Sequence, residues 1–253
     1  MKVLVESNVS SAVMSNPGED SSYPASNLLD EHPKKVAKAD ASETVTVSLV
    51  VDGAGDWLGC LNTNARIAEV SVYDGASTLV YESILSLGGI DTYEEFIAGE
   101  GQALYEFDVC YPYQSALHTI VIELDTASAG VTAQIGGCLA GVGMESSIDT
   151  SRGMTEGLVD YSTVKELSNG ATYIKKRDVV RTFNFSLVVE RDREFYSFMH
   201  GVARTIGSSP ILWKVTDLSN SDWLLFGRLG EQPSAVHSYH KYSTITFNIL
   251  EVL

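Results

Sequence analysis

The sequence predicts a mainly β protein in two units, the second carrying one α-helix. Three observations predict this. Short runs of alternating or β-branched residues recur in the first half at intervals of roughly 8–15 residues, the spacing of a β-sandwich. A sustained helical period is confined to 191–207. Charge divides unevenly: residues 1–140 hold 20 acids and 5 bases, whereas residues 141–253 hold 13 acids and 12 bases. The divide falls in the small-residue stretch 136–143 (GGCLAGVG), which sets the expected units at 1–141 and 142–253.

The elements follow in chain order. ASNLLDEH (25–32) is the helix-like piece of the first half, with Ser26 or Asn27 as its cap. TVTVSLVV (44–51) alternates and is β-branched. ARIAEVSVYDG (65–75) and STLVYESIL (77–85) read as a hairpin across Asp74-Gly75. ALYEFDVCY (103–111), HTIVIELD (118–125) and VTAQIGGCLAG (131–141) are the remaining strands of this half. Residues 145–180 are rich in Gly, Ser and Thr and read as a long loop, a kind of segment that is usually functional or disordered. RTFNFSLVVE (181–190) is a strand. In RDREFYSFMHGVARTIG (191–207), Phe195, Phe198, Met199, Val202 and Ile206 recur at helical steps, and Gly207 and Pro210 end the helix. PILWKVTD (210–217) and DWLLFGRLG (222–230) pair as a hairpin across 218–221, and SYHKYSTITFNILEV (238–252) is the last strand.

Composition narrows the function classes. The chain has 253 residues, 44% hydrophobic and 20% charged, the composition of a globular protein with a core or two. A formal charge of −16 opposes nucleic-acid binding by bulk charge, since phosphates need Lys and Arg, and opposes docking on anionic lipid. No apolar run reaches the length of a membrane span, and the opening MKVLVESNVSSAV does not read as a signal peptide. Cys60, Cys110 and Cys138 are an odd number, separated in sequence and set among apolar or small neighbours. They read as buried free thiols of a protein made in a reducing cytosol.

Nothing nominates a catalytic centre, a cofactor or a metal. The sequence lacks Gly-x-Ser-x-Gly, His-Glu-x-x-His and a phosphate-binding glycine loop before a helix. His237 and His240 point to opposite faces of a strand, and His200 lies near a helix end beside its dipole. The acidic pairs Glu19-Asp20, Asp30-Glu31 and Glu94-Glu95 read as solvated loops, with calcium binding as the sharper alternative. The glycines of IGGCLAGVG read as close packing or a bend. Tyr111, Tyr113, Tyr239 and Tyr242 near strand ends suit core, interface or sugar-stacking roles. Lys175, Lys176, Arg177 and Arg181 read as a solvated face or as a surface that meets the acidic half of a neighbouring copy. Together with Phe195 and Phe198 of the helix, and the segment 145–180, they are the candidate subunit contacts.

Two resemblances add to this. YPASNLLDEHPKKVAKAD (23–40), TVTVSLVVDGAGDWLGCLNTNARIAEVSVYDG (44–75) and HTIVIELDTASAGVTAQIGGCLAG (118–141) resemble discoidin-type, galactose-binding-like jelly rolls. Ala37-Lys38 stands where sugar-binding members often carry a Trp. The order strand, helix, hairpin and long last strand over 145–253 is similar to tail-tube-like domains of long-tailed bacteriophages, distal tail proteins included, with YSTITFNILEV resembling their last strand. The pair implies a jelly roll followed by a tail-tube-like β-sandwich or split barrel. It implies a virion structural protein of a siphophage tail tip or baseplate, made in the host bacterial cytoplasm. Such a protein would form a homo-oligomeric ring with tail tube and baseplate hub proteins as partners, and no catalysis. A carbohydrate-binding module that recognises host-surface glycans is the alternative. A glycosidase would need two carboxylates across a cleft, and the sequence nominates none.

Overall fold

The computed structural model describes residues 1–30, 32–87, 104–127, 131–148, 154–166, 172–177, 179–202, 204, 209–215, 224–237 and 241–252. The chain is mainly β, and among the described residues its strands are all paired antiparallel. The first sandwich faces a five-stranded sheet against a three-stranded one. The larger sheet runs β2 (Val9–Ser15), β4 (Thr44–Val51), β9 (His118–Asp125), β6 (Ile67–Tyr73) and β7 (Leu79–Ser86). The smaller runs β11 (Gly137–Gly141), β5 (Gly55–Thr63) and β8 (Tyr105–Gln114), and a two-residue ribbon of β3 (Ala37–Lys38) and β10 (Gln134–Ile135) closes one end.

The period-two pattern puts one side chain in two into the space between the sheets. Val45, Val47, Leu49 and Val51 of β4, with Ile120, Ile122 and Leu124 of β9, meet Leu58 and Cys60 of β5 and Phe107, Val109 and Tyr111 of β8. The hairpin across Asp74-Gly75 forms as expected, and the Asp74 carboxylate accepts the backbone N–H groups of Ala76 and Thr78. The helix-like piece is a single 3-10 turn, Ala25–Leu29. Neither Ser26 nor Asn27 caps it: Pro24 precedes it, the Glu19 carboxylate accepts the Ala25 N–H, and Asn27 donates to the Val36 carbonyl.

The second sheet has eight strands: β12 (Gly143–Glu145), β1 (Lys2–Leu4), β17 (Ile211–Lys214), β18 (Leu224–Leu229), β20 (Tyr242–Glu251), β16 (Val179–Glu190) and β13 (Thr155–Asp160), with β19 (Ser234–Val236) paired to β20. The strand Lys2–Leu4, placed by the sequence in the first unit, is hydrogen-bonded here between β12 and β17. The chain therefore leaves this sheet after Leu4, builds the first sandwich, and returns at Gly143. The helix expected over 191–207 is shorter. Residues 191–194 are turn, the helical core Ser197–Val202 is π-helical, and Ile206 and Gly207 lie outside the described residues. Phe198 and Val202 seal one face of the sheet, where Phe183, Phe185, Leu187, Trp213, Phe247 and Ile249 gather.

Segment 145–180 is not a structureless loop. β13 runs in full register against β16, and β14 (Thr163–Glu166) pairs with β15 (Thr172–Lys175) as a separate ribbon. The ribbon has no buried face: Val164, Tyr173 and Ile174 are all exposed. The sequence signal was the Asn169-Gly170 dipeptide between the β-branched runs TVKE and TYIK, a hairpin signature. Cys110 is also corrected: it is exposed. Phe107, Val109 and Tyr111 alternate into the sandwich core, so Cys110 points the other way.

Strand β5 is buried on both faces. Leu58 and Cys60 point into the sandwich, while Trp57 and Leu61 point outward to Leu4, Leu212, Leu224 and Phe226 of the eight-stranded sheet. Between them Gly59 leaves room for Leu212; a Cβ there would collide with that fully buried side chain. Gly59→Ala should cost about 1–3 kcal/mol through overpacking, read as a lower urea midpoint. An unchanged midpoint would show that Leu212 repacks freely.

Candidate assembly surface

The seam between the two sheet systems fixes what each can offer to a partner. Besides its apolar cluster, it holds three sets of charged contacts. Asp108 of β8 accepts the Trp57 indole N–H at 3.0 Å and the Lys214 ammonium at 2.8 Å. Lys2 lies 3.9 Å from Asp56, 3.4 Å from the Cys110 sulfur and over the Trp57 ring. Arg181 of β16 grips Glu251 of β20 through two side-chain N–H groups at 2.8 and 2.9 Å and lies 3.9 Å from Glu106 of β8. Burial, with Glu251 nearby, pushes the Glu106 carboxyl up to about 7 despite the Arg181 guanidinium. The outer face of β5 is thus covered by the chain itself.

The ribbon β14–β15 offers the contrast. Val164 and Ile174 are opposite one another in register, 61% and 56% exposed, so one face of the ribbon presents two β-branched side chains to solvent. Tyr173, opposite Lys165, is 56% exposed on the other face. Leu158 and Tyr161 add exposed apolar area on the approach from β13, which is the end strand of its sheet. A short two-stranded ribbon carrying exposed apolar groups is marginal by itself, and β13 leaves one edge of its sheet unpaired among the described strands.

The sequence-nominated contacts divide. Lys175, Lys176 and Arg177 lie at the exposed foot of β15. Arg181 is held by Glu251 within the chain, Phe198 is 1% exposed in the core, and Phe195 packs against that core and the His237 ring. These last three are occupied inside the molecule. Val164, Tyr173 and Ile174 lie within the nominated segment 145–180 but were not singled out, because a segment exposed on both faces carries no amphipathic period.

Other nominated groups are structural. Tyr111 is buried and shares a 3.0 Å hydrogen bond with His118 Nε2, while His118 Nδ1 lies 2.9 Å from the Ala116 carbonyl oxygen. A carbonyl only accepts, so Nδ1 donates to it, and in the neutral ring Nε2 accepts from the Tyr111 hydroxyl. Burial pushes the Tyr111 hydroxyl well up. Asp20 accepts the Ser22 N–H, Asp30 pairs with Lys35 at 2.6 Å, and His200 stacks on Tyr196. Glu31, Glu94, Glu95, Tyr239 and His240 lie outside the described residues. Among the described residues, no three His, Cys, Asp or Glu side chains gather as a metal site. The glycines do mark close packing: a Cβ at Gly136 would meet the Pro33 carbonyl oxygen.

No protein-family model matches the chain, and no curated protein matches it. Solved structures do. A Streptococcus pneumoniae fucose-binding module is 10% identical over 53% of this chain and 96% of its own, at a TM-score of 0.36. A Clostridium perfringens module solved with GalNAc-β-1,3-galactose is 12% identical over 52% and 94%, at 0.38. Reduced XRCC1, solved bound to the DNA polymerase β catalytic domain, is 14% identical over 53% and 95%, at 0.39. Likeness at this level identifies neither a ligand nor a role.

Proposed function

We propose that the chain is a non-catalytic structural protein that assembles with copies of itself through its β14–β15 ribbon, as a ring component of a long-tailed phage tail tip. The observation that carries the assembly part is the β14–β15 ribbon, with Val164 and Ile174 side by side in solvent. The tail assignment is supported by the sequence order of strand, helix, hairpin and long last strand, with tail tube and baseplate hub proteins as further partners. The ribbon's basic foot, Lys175 to Arg177, is complementary to residues 1–140 with their 20 acids and 5 bases, so the jelly roll of a neighbouring copy is its natural counter-surface.

The test is native mass and negative-stain imaging of the full-length protein beside Val164→Asp/Ile174→Asp. Both positions are exposed, so the cost should be confined to the ribbon, where two opposed carboxylates repel by up to about 1 kcal/mol, and the two cores should unfold at the natural midpoint. Closed rings for the natural sequence and monomers for the variant are the expected result. A natural protein that stays monomeric at high concentration sinks self-assembly. Raised salt should also loosen the rings, since the charge contacts are exposed.

A second reading has its own observation. Tyr113, 60% exposed, precedes a loop that also exposes Leu117, and Tyr23 is exposed with the Lys38 ammonium 4.3 Å from its ring centre. Exposed aromatic faces suit sugar stacking. Binding on a glycan array that Tyr113→Ala or Tyr23→Ala abolishes would establish this reading for the jelly roll.

A further inference from the structure

The two buried cysteines far apart in sequence meet in the fold. Cys138 of β11 is the register partner of Cys60 of β5, and their sulfurs lie 3.8 Å apart inside the sandwich core. Directly opposed residues on antiparallel strands have Cα separations of about 4.5–5.5 Å, inside the range a disulfide spans. A small rotation about the side-chain bonds is then the main movement required. Cys110 is the exposed thiol on β8, so the pairing is unambiguous.

We propose that Cys60 and Cys138 are a disulfide-forming pair, a modification site that closes when the chain folds in the presence of a low-molecular-weight disulfide. In the first step a thiolate of the pair attacks the small disulfide, forming a mixed disulfide and releasing one small thiolate. The second cysteine then displaces the other, its proton passing to solvent. The two protein thiols lose two electrons and two protons, and the small disulfide takes them up as two thiols. Burial pushes the Cys60 thiol well above the ordinary thiol range, so thiolate is scarce once the core has closed. Oxidation therefore belongs to the folding chain or to slow opening of the sandwich. The bond would tie residues 78 apart in sequence. It would clamp β11, the strand from which the chain crosses into the eight-stranded sheet, onto β5, the strand buried on both faces.

The experiment uses full-length protein carrying Cys110→Ser, an exposed change that removes the third thiol. One sample is refolded from denaturant with oxidised glutathione; another is kept folded and incubated with it for days. Both are then unfolded, alkylated and digested. The expected result is a linked peptide joining Cys60 to Cys138, with no alkyl label on either, and a raised thermal midpoint that reductant returns to its starting value. Two alkylated thiols in both samples overturn the proposal, as does a stable glutathione adduct on one cysteine without the cross-link.

Discussion

Trp57→Ala should uncouple the two sheet systems and lower stability by about 3–5 kcal/mol, the range for truncating a large aromatic in a core. Trp57 is fully buried, and it is the largest side chain in the seam, packed with Leu4, Leu61, Leu212, Leu224 and Phe226. Its indole N–H is one of two donors to Asp108, and Lys214 of the second sheet is the other. Truncation removes the packing and also leaves Asp108 with one donor. Because β1 belongs to the second sheet while β2 begins the first sandwich, the seam is crossed at both ends of the jelly roll. Cooperation between the two cores then depends on the seam contacts. Calorimetry should show one unfolding transition for the natural protein and two for Trp57→Ala. Trp57→Phe keeps most of the apolar volume and should recover much of the loss. A single transition for Trp57→Ala, merely shifted, would show that the cores are coupled elsewhere.

The central strands of the larger sheet were legible because β4 and β9 bury one face and leave the other partly open. TVTVSLVV reads as β4 for the same reason that Val45, Val47, Leu49 and Val51 sit in the core. Three things were not legible, each for a physical reason. Lys2–Leu4 is too short to carry a period, and its place is decided by hydrogen bonds to Ile211–Lys214, about 200 residues away, a long-range pairing that local pattern cannot report. The β14–β15 ribbon has no buried face, so hydrophobic alternation is absent, and turn chemistry at Asn169-Gly170 carried what signal there was. Residues 191–207 have helical spacing, yet regular helix is interrupted: Phe198 and Val202 face the core from a π-helical turn. Phe195, Phe198, Met199 and Val202 face the core as the spacing predicts, and the helix begins after 191–194, which are turn. For the assembly surface, composition pointed to Lys175 to Arg177, but Arg181 and Phe198 have intramolecular partners that only the fold reveals.

Stability should fall as pH rises from about 4.5 to about 7, and Glu106→Gln should remove that slope. Glu106 stands at the seam with Arg181 3.9 Å away and Glu251 close by, and burial raises its carboxyl to about 7 from 4.5. The unfolded chain loses this proton near the ordinary value, whereas the folded chain holds it until near neutrality. Folded protein therefore binds the extra proton between those limits, and stability declines with pH across that window. The contribution is fully present below the unfolded value and gone once pH has passed the folded one. At about 1.4 kcal/mol for each pH unit, the decline approaches about 3 kcal/mol. Arg181 opposes the rise, but its guanidinium is already committed to Glu251 through two short hydrogen bonds, so desolvation prevails at Glu106. Glutamine keeps the shape and polarity without a titrating proton. Urea unfolding at pH 5 and pH 8 should give natural protein and Glu106→Gln similar midpoints at the lower pH. At the higher pH the variant should be the more stable by about 2–3 kcal/mol. Parallel curves across the range would show that Glu106 ionises normally and that water reaches the seam between β8 and β16. If the difference appears, the same protonation bears on the seam itself, because ionised Glu106 beside Glu251 adds a second carboxylate to a single guanidinium.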